Sequence, residues 1–204
     1  MKNIFKNIEN YYSNKLKKYG PTPGGVDWNG EQGQLIRFNQ LSKVIKLKNS
    51  SLNDIGCGYG KYAEYIANHF KNIHYTGYDL SKKMVNEATK LYPQNRFIHI
   101  LNLDGIEDAD YSIASGIFNV KLKYSNSKWL SYILNSLVQL NLKSKKGFSF
   151  NILTKHADKA YMKNHLYYAD PLFLYDYCIQ HFSKNVTLEQ NYNLYEFTIL
   201  IKKN

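Results

Sequence analysis

From residue 49 onward, strand-like and helix-like stretches alternate, and that order leaves the chain few architectures. Ser51 to Ile55 reads as a short buried strand, and Lys61 to Phe70 has helical spacing. NIHYTGYD is a strand, SKKMVNEATKLY a helix capped by Ser81, and RFIHIL a third strand. DYSIASGIF, SKWLSYILNSLVQLNL and GFSFNIL continue as strand, helix, strand. Parallel partners need a crossover between them, and helical crossovers cover both faces of the sheet they connect. The 204 residues, 44% of them hydrophobic, are enough to bury one core. The expectation is a single domain over 1–204, with helices and a loop over 1–48 and the sheet-bearing core over 49–204.

The two ends depart from the alternation. Ile4, Phe5, Ile8, Tyr12, Leu16 and Tyr19 recur at helical spacing up to Gly20, and the loop GPTPGGVDWNGEQGQ follows. A second helix is expected over Glu31 to Leu47, with Leu35, Phe38, Leu41, Val44 and Ile45 on one face. At the far end, Asp170 and Pro171 suit the N-cap and first turn of PLFLYDYCIQHF, and NVTLEQNY and YEFTILIKK form a hairpin. Five βα units closed by a hairpin, with one antiparallel strand inserted in the sheet, resemble the Rossmann-like class I methyltransferases over Asn49 to Lys203. The resemblance implies an α/β fold: a three-layer, doubly wound sheet of seven strands, mostly parallel with a C-terminal antiparallel hairpin strand, plus an N-terminal helical lid.

The glycine turn DIGCGYGKY, Asp54 to Tyr62, follows the first core strand. A P-loop requires Ser or Thr after Gly-Lys, and Gly60-Lys61 is followed by Tyr62. A dinucleotide fingerprint spaces its glycines G-x-G-x-x-G, one residue longer than Gly56, Gly58 and Gly60. Asp54 would repel a pyrophosphate and attract the ammonium and sulfonium charges of S-adenosylmethionine. Asp79, at the end of the next strand, stands where a carboxylate can accept ribose hydroxyls. The family resemblance implies that Asp54, Gly56, Cys57, Gly58 and Gly60 line the methionine side and that Asp79 with Leu80 holds the ribose, Leu80 packing on adenine. It also implies adenine contacts from Asn102 and Leu103, with Asp104 as a rival, and Ser115 and Gly116 beside the methionine portion.

The acceptor side is expected at the carboxyl ends of the strands. There Phe118 and Asn119 would border the methyl group. SGIFNVK lacks the Asn/Asp-Pro-Pro-aromatic stretch of the nucleobase methyltransferases. Trp28 either covers the site as part of a lid or anchors the first helix. The long loop TKHADKAYMKNHLYYADP adds Tyr161, His165 and Tyr168 as substrate contacts. If a general base operates, His156 is the first choice, followed by Asp27 and His165. KYGPTPGGVDWN and NYNLYEFTILIKK resemble bacterial methyltransferases of carbohydrate and secondary-metabolite pathways, which implies a small-molecule acceptor, a hydroxyl of a sugar or related metabolite.

The net charge of +11 raises a nucleic-acid partner, and its distribution argues against one. Arg37 and Arg96 are the only arginines, and the lysines are dispersed along the chain. An RNA or DNA methyltransferase and a nonenzymatic S-adenosylmethionine-binding protein remain the alternatives. Cys57 and Cys178 suit neither a disulfide framework nor a metal site, so no metal is expected. No apolar run is long enough for a membrane span, and the first residues lack a signal peptide's apolar stretch, which points to the cytoplasm.

Overall fold

The computed structural model describes residues 2–203. Seven strands form one sheet: β1 (Ser50–Ile55), β2 (Ile73–Asp79), β3 (Arg96–His99), β4 (Ala109–Ala114), β5 (Ser144–Leu153), β6 (Asn185–Glu189) and β7 (Glu196–Lys202). Their order is β3-β2-β1-β4-β5-β7-β6, with β1 through β5 mutually parallel. β7 runs antiparallel between β5 and β6, as the hairpin reading requires. The chain winds outward from β1 to β3 and resumes with β4 on the other side of β1. The sheet's topological switch point therefore lies between β1 and β4, where α/β sheets open a crevice.

The helices are α1 (Lys2–Tyr19), α2 (Glu31–Ser42), α3 (Lys61–His69), α4 (Lys82–Leu91), α5 (Asn126–Lys143) and α6 (Pro171–His181). Period-two alternation sends strand residues to two cores. Ile55, Ala114, Phe150, Phe197 and Ile199 join α1, α5 and α6 on one face. Leu52, Tyr111, Ile113 and Leu200 join α2 and α3 on the other. Ser81 caps α4 by accepting from Met84 N, and its hydroxyl lies 2.7 Å from that of Ser13 on α1. Asp170 caps α6 by accepting from Leu172 N and Phe173 N.

Two element boundaries differ from the sequence reading. α2 stops at Ser42 instead of Leu47, because Lys43, Val44 and Ile45 donate to carbonyls three residues back, which tightens and ends the helix. Val44 and Ile45 still enter the core, whereas Leu35 faces outward at 46% exposure. The fourth strand ends at Ala114, short of Phe118. Gly116 takes a φ of 71° and its carbonyl accepts from Asn119 N, closing a turn where an extended strand was expected.

Candidate active site

At the carboxyl end of β1 the chain makes a tight turn. Gly56 and Cys57 donate their N–H groups to Tyr78 O at 2.8 and 3.0 Å, stitching the turn to β2. Gly56, Gly58 and Gly60 have φ of 75°, 55° and 86°, in the left-handed region that glycine enters without a Cβ penalty. Gly56 and Gly58 line a cavity with Asp54, Cys57, Asp79, Leu80 and other residues. Gly60 does not. A Cβ there would meet Tyr92, Phe97 and Ala88 at 2.9 to 3.1 Å, so Gly60 serves the packing of α3 against the β3 side of the sheet.

Two carboxylates give this cavity its character, Asp54 buried and Asp79 half-buried. Asp79 receives Gly58 N on Oδ2 at 2.9 Å and Ser81 N on Oδ1 at 2.7 Å, so one side chain spans the glycine turn and the α4 cap. Asp54 accepts from the Tyr75 hydroxyl at 2.6 Å. Burial pushes Asp54 up to about 7 and Asp79 up to about 6, and their hydrogen-bond donors only partly oppose it. Neither carboxylate has a Lys or Arg partner among the described residues. Ser115 Oγ, on the same cavity wall, is buried without a hydrogen-bond partner. A cavity with two uncompensated acids and an unused hydroxyl favours a cationic guest with hydrogen-bonding groups.

The N-terminal segment roofs this cavity. Tyr12 on α1 and Val26 and Trp28 in the following loop line it. The loop is bound back to α1 through Asp27, which accepts from the Tyr11 hydroxyl at 2.6 Å and pairs with Lys15 at 2.5 Å. Trp28 lies against Gly116, and the Arg37 guanidinium carbon sits 3.9 Å from the centre of its ring.

Trp28, Tyr12, Val26 and Gly116 also border a second cavity of about 840 Å³ including its open mouth. Its other walls include Asp27, Arg37, Asn119, Lys163 and His165. The loop after β5 reaches this cavity by folding back along residues 119–122. Leu166 bridges Val120, Leu122 N donates to His165 O, and Tyr167 N donates to Asn119 O. Asn119 itself is held by Leu153 N, which donates to its Oδ1 at 3.1 Å.

Comparison with known proteins now bears on this pair of cavities. A family profile described as a methyltransferase domain matches residues 53–131, the stretch from β1 into α5. "Putative methyltransferase Rv1506c" of Mycobacterium tuberculosis (strain ATCC 25618 / H37Rv) is 46% identical over 156 residues, covering 75% of this chain and 93% of that protein. The chain belongs to the class I, S-adenosylmethionine-dependent methyltransferases. Solved methyltransferases share the fold. One is the magnesium protoporphyrin IX methyltransferase from Synechocystis PCC 6803 with bound SAM, with a TM-score of 0.67 and 14% identity over 98% of this chain and 97% of that one. Another is the plantazolicin methyltransferase in complex with a pentazolic desmethylPZN analog and SAH, with a TM-score of 0.63 and 14% identity over the whole of both chains.

In the methyltransferase, several residues singled out from the sequence lie elsewhere. Asn102 stays exposed and caps a short 3-10 turn by accepting from Asp104 N at 2.9 Å, while its neighbour Leu103 lines the first cavity. Phe118 is fully buried in the core and lines neither cavity. His156 is exposed outside both cavities, because the chain turns there with His156 N on Thr154 Oγ1 and Ala157 N on Thr154 O. Tyr161 is 67% exposed and stacks on Tyr195, with ring centres 5.7 Å apart. Tyr168 turns its hydroxyl to Lys163 N and also lines neither cavity. The sequence reading missed Tyr12, Arg37 and Lys163. Tyr12 could have been found, since a polar-tipped residue on the buried face of an amphipathic helix is a usual pocket contributor.

Proposed function

We propose that the methyltransferase binds S-adenosylmethionine in the first cavity and transfers its methyl group to a small molecule in the second, onto a hydroxyl of a sugar or related metabolite. The observation that carries this reading is the pair of Asp54, buried, and Asp79, half-buried, on either side of a glycine turn and without a Lys or Arg ion pair among the described residues. A donor bearing an ammonium and a sulfonium supplies the missing positive charge. Asp79 keeps lone pairs for the ribose hydroxyls while its backbone contacts fix its orientation, and Leu80 and Leu103 offer apolar surface to the adenine. Ser115 Oγ is free to bond the methionine end. The solved relative with bound SAM agrees with a donor of this kind.

When bound, S-adenosylmethionine supplies an electrophilic methyl group on sulfur and leaves as the thioether S-adenosylhomocysteine. The protein's part is to align the acceptor oxygen with the methyl group where the two cavities meet, beside Trp28 and Gly116, and to exclude water, which together can supply orders of magnitude in rate. The acceptor's O–H proton goes to a base as the C–O bond forms. His165, on the second cavity, is better placed for this than His156, and Asp27 is already engaged by Tyr11 and Lys15. The N-terminal helices and loop, residues 1–48, act as the cover of a single 1–204 unit.

An open second cavity beside the donor cavity favours an enzyme over a protein that only senses the cofactor. Dispersed lysines and the scarcity of arginine disfavour RNA or DNA. No described helix is long and apolar enough to cross a membrane, and a cytoplasmic location is part of the proposal. Titration calorimetry tests the donor assignment: S-adenosylmethionine should bind with ~micromolar affinity. Asp79→Ala, which removes charge-assisted hydrogen bonds, should weaken it by ~10- to 100-fold. Equal affinity in the variant contradicts the assignment.

A further inference from the structure

The two adjoining cavities carry opposite charge. The donor cavity is lined by Glu9, Asp54 and Asp79, with Lys61 already paired to Glu64 at 3.0 Å. The second cavity is lined by Lys15, Arg37 and Lys163 against one carboxylate, Asp27, which Lys15 neutralises. Lys163 has no ion-pair partner among the described residues.

Arg37 is the more informative of the two remaining cations. Its side chain is only 11% exposed, and its Nε lies 2.8 Å from Oε1 of the fully buried Glu196. The contact is an ion pair without hydrogen-bond alignment, since Arg37 Nε and Glu196 Oε2 both lack an aligned partner. Asn151 Nδ2 donates to Glu196 at 3.0 Å, and Asn151 Oδ1 accepts from Gly116 N at 2.7 Å. One buried polar chain therefore runs from the wall between the cavities to the guanidinium, which stacks on the Trp28 ring. Glu196 meets the Nε edge at 2.8 Å. The two terminal nitrogens form the fork that grips planar or tetrahedral oxyanions, and among the described residues they have no protein acceptor. Arg37 lines the second cavity, and Nε is its only nitrogen buried without a partner, so the terminal donors are accessible to a ligand or water there.

We infer that the methyl acceptor carries an anionic oxygen group, a carboxylate or a phosphate, anchored by Arg37 and Lys163, with its hydroxyl presented toward Trp28 and Gly116. This rests on reading the second cavity as the acceptor pocket. A concave pocket formed by one buried arginine and one lysine suits a small anion, whereas a nucleic-acid backbone needs a continuous basic track.

The experiment is a tryptophan-fluorescence titration of the full chain saturated with S-adenosylhomocysteine, using Trp28→Phe to assign the signal. The probes are glucuronate, glucose 6-phosphate, glucose, and a short single-stranded oligoribonucleotide. Glucuronate or glucose 6-phosphate should saturate the signal, which one doing so identifying carboxylate or phosphate, while glucose should not. Lys163→Gln should raise the half-saturating concentration about tenfold, the loss of one charge-assisted contact. The inference is overturned if glucose binds as well as the anions, if Lys163→Gln changes nothing, or if only the oligonucleotide binds, with steep salt dependence. Methyl transfer from labelled S-adenosylmethionine to each probe keeps the two readings apart. Saturation by an anion that does not block transfer to a true acceptor would sink the assignment of this cavity to the acceptor. Failure of every anion to bind, with S-adenosylmethionine still bound, would sink the anchor alone.

Discussion

Trp28 occupies the space that a side chain on Gly116 would need: a Cβ there would lie 2.3 Å from Trp28 Cζ2. This contact joins the N-terminal cover to the turn after β4 and forms part of the wall that the two cavities share. Gly116→Ala must displace the indole and also place a Cβ at a φ of 71°. The backbone penalty alone is roughly 1–2 kcal/mol. The variant should unfold at lower denaturant and show a shifted Trp28 emission. Acceptor turnover should fall more than donor affinity, because the wall moves while Asp54 and Asp79 stay in place.

The raised acids make a pH prediction. Asp54 in the folded protein titrates near 7 and Asp79 near 6, against 3.8 for either in an unfolded chain. Between those values the folded state holds protons that the unfolded state has released, so stability falls as pH rises. The contribution is complete below pH 3.8 and lost by about pH 7 for Asp54 and by about pH 6 for Asp79. Donor-free protein should therefore lose stability from these groups across that window, and Asp54→Asn should flatten the loss. Affinity for S-adenosylmethionine should move the other way, strengthening as the carboxylates ionise. Denaturant melts and calorimetry at a series of pH values check both trends.

The two loop histidines separate a geometric argument from a sequence one. His165 lines the second cavity and His156 does not. His165→Gln should lower kcat by ~100-fold or more if it takes the acceptor proton, with donor affinity unchanged. His156→Gln should leave turnover near the starting value. A steady-state assay on both variants decides it.

Glu196 is buried with Arg37 as its cation, and burial raises its pKa despite that pair. Removing one member leaves the other uncompensated. Glu196→Ala should cost roughly 3–5 kcal/mol, and replacing both residues with apolar ones should recover much of it. Urea melts of the single and double variants measure the difference.

The fold was legible because its signals are local. Each strand of Val, Ile, Phe and Tyr, each cap such as Ser81 or Asp170, and the hairpin near residue 190 can be read within a few residues. The donor cavity shares that property, since Asp54, Gly56 and Gly58 lie in one turn and Asp79 ends the neighbouring strand. Asn102 was misplaced because a short polar side chain can cap its own turn as easily as reach a ligand, and spacing does not distinguish the two. The second cavity draws Tyr12 from α1, Arg37 from α2 and Lys163 from a loop. The choice between His156 and His165 depends on the pairing of Leu166 with Val120, a contact across 46 positions that no periodicity encodes.

The most direct measurement supplies methyl-labelled S-adenosylmethionine and the full chain to separated small-metabolite and RNA fractions of a bacterial extract. Label should enter an anionic, hydroxyl-bearing compound in the small-metabolite fraction, and Asp79→Ala should abolish the transfer. Label appearing only in RNA, or no transfer from any fraction despite tight donor binding, would contradict the account.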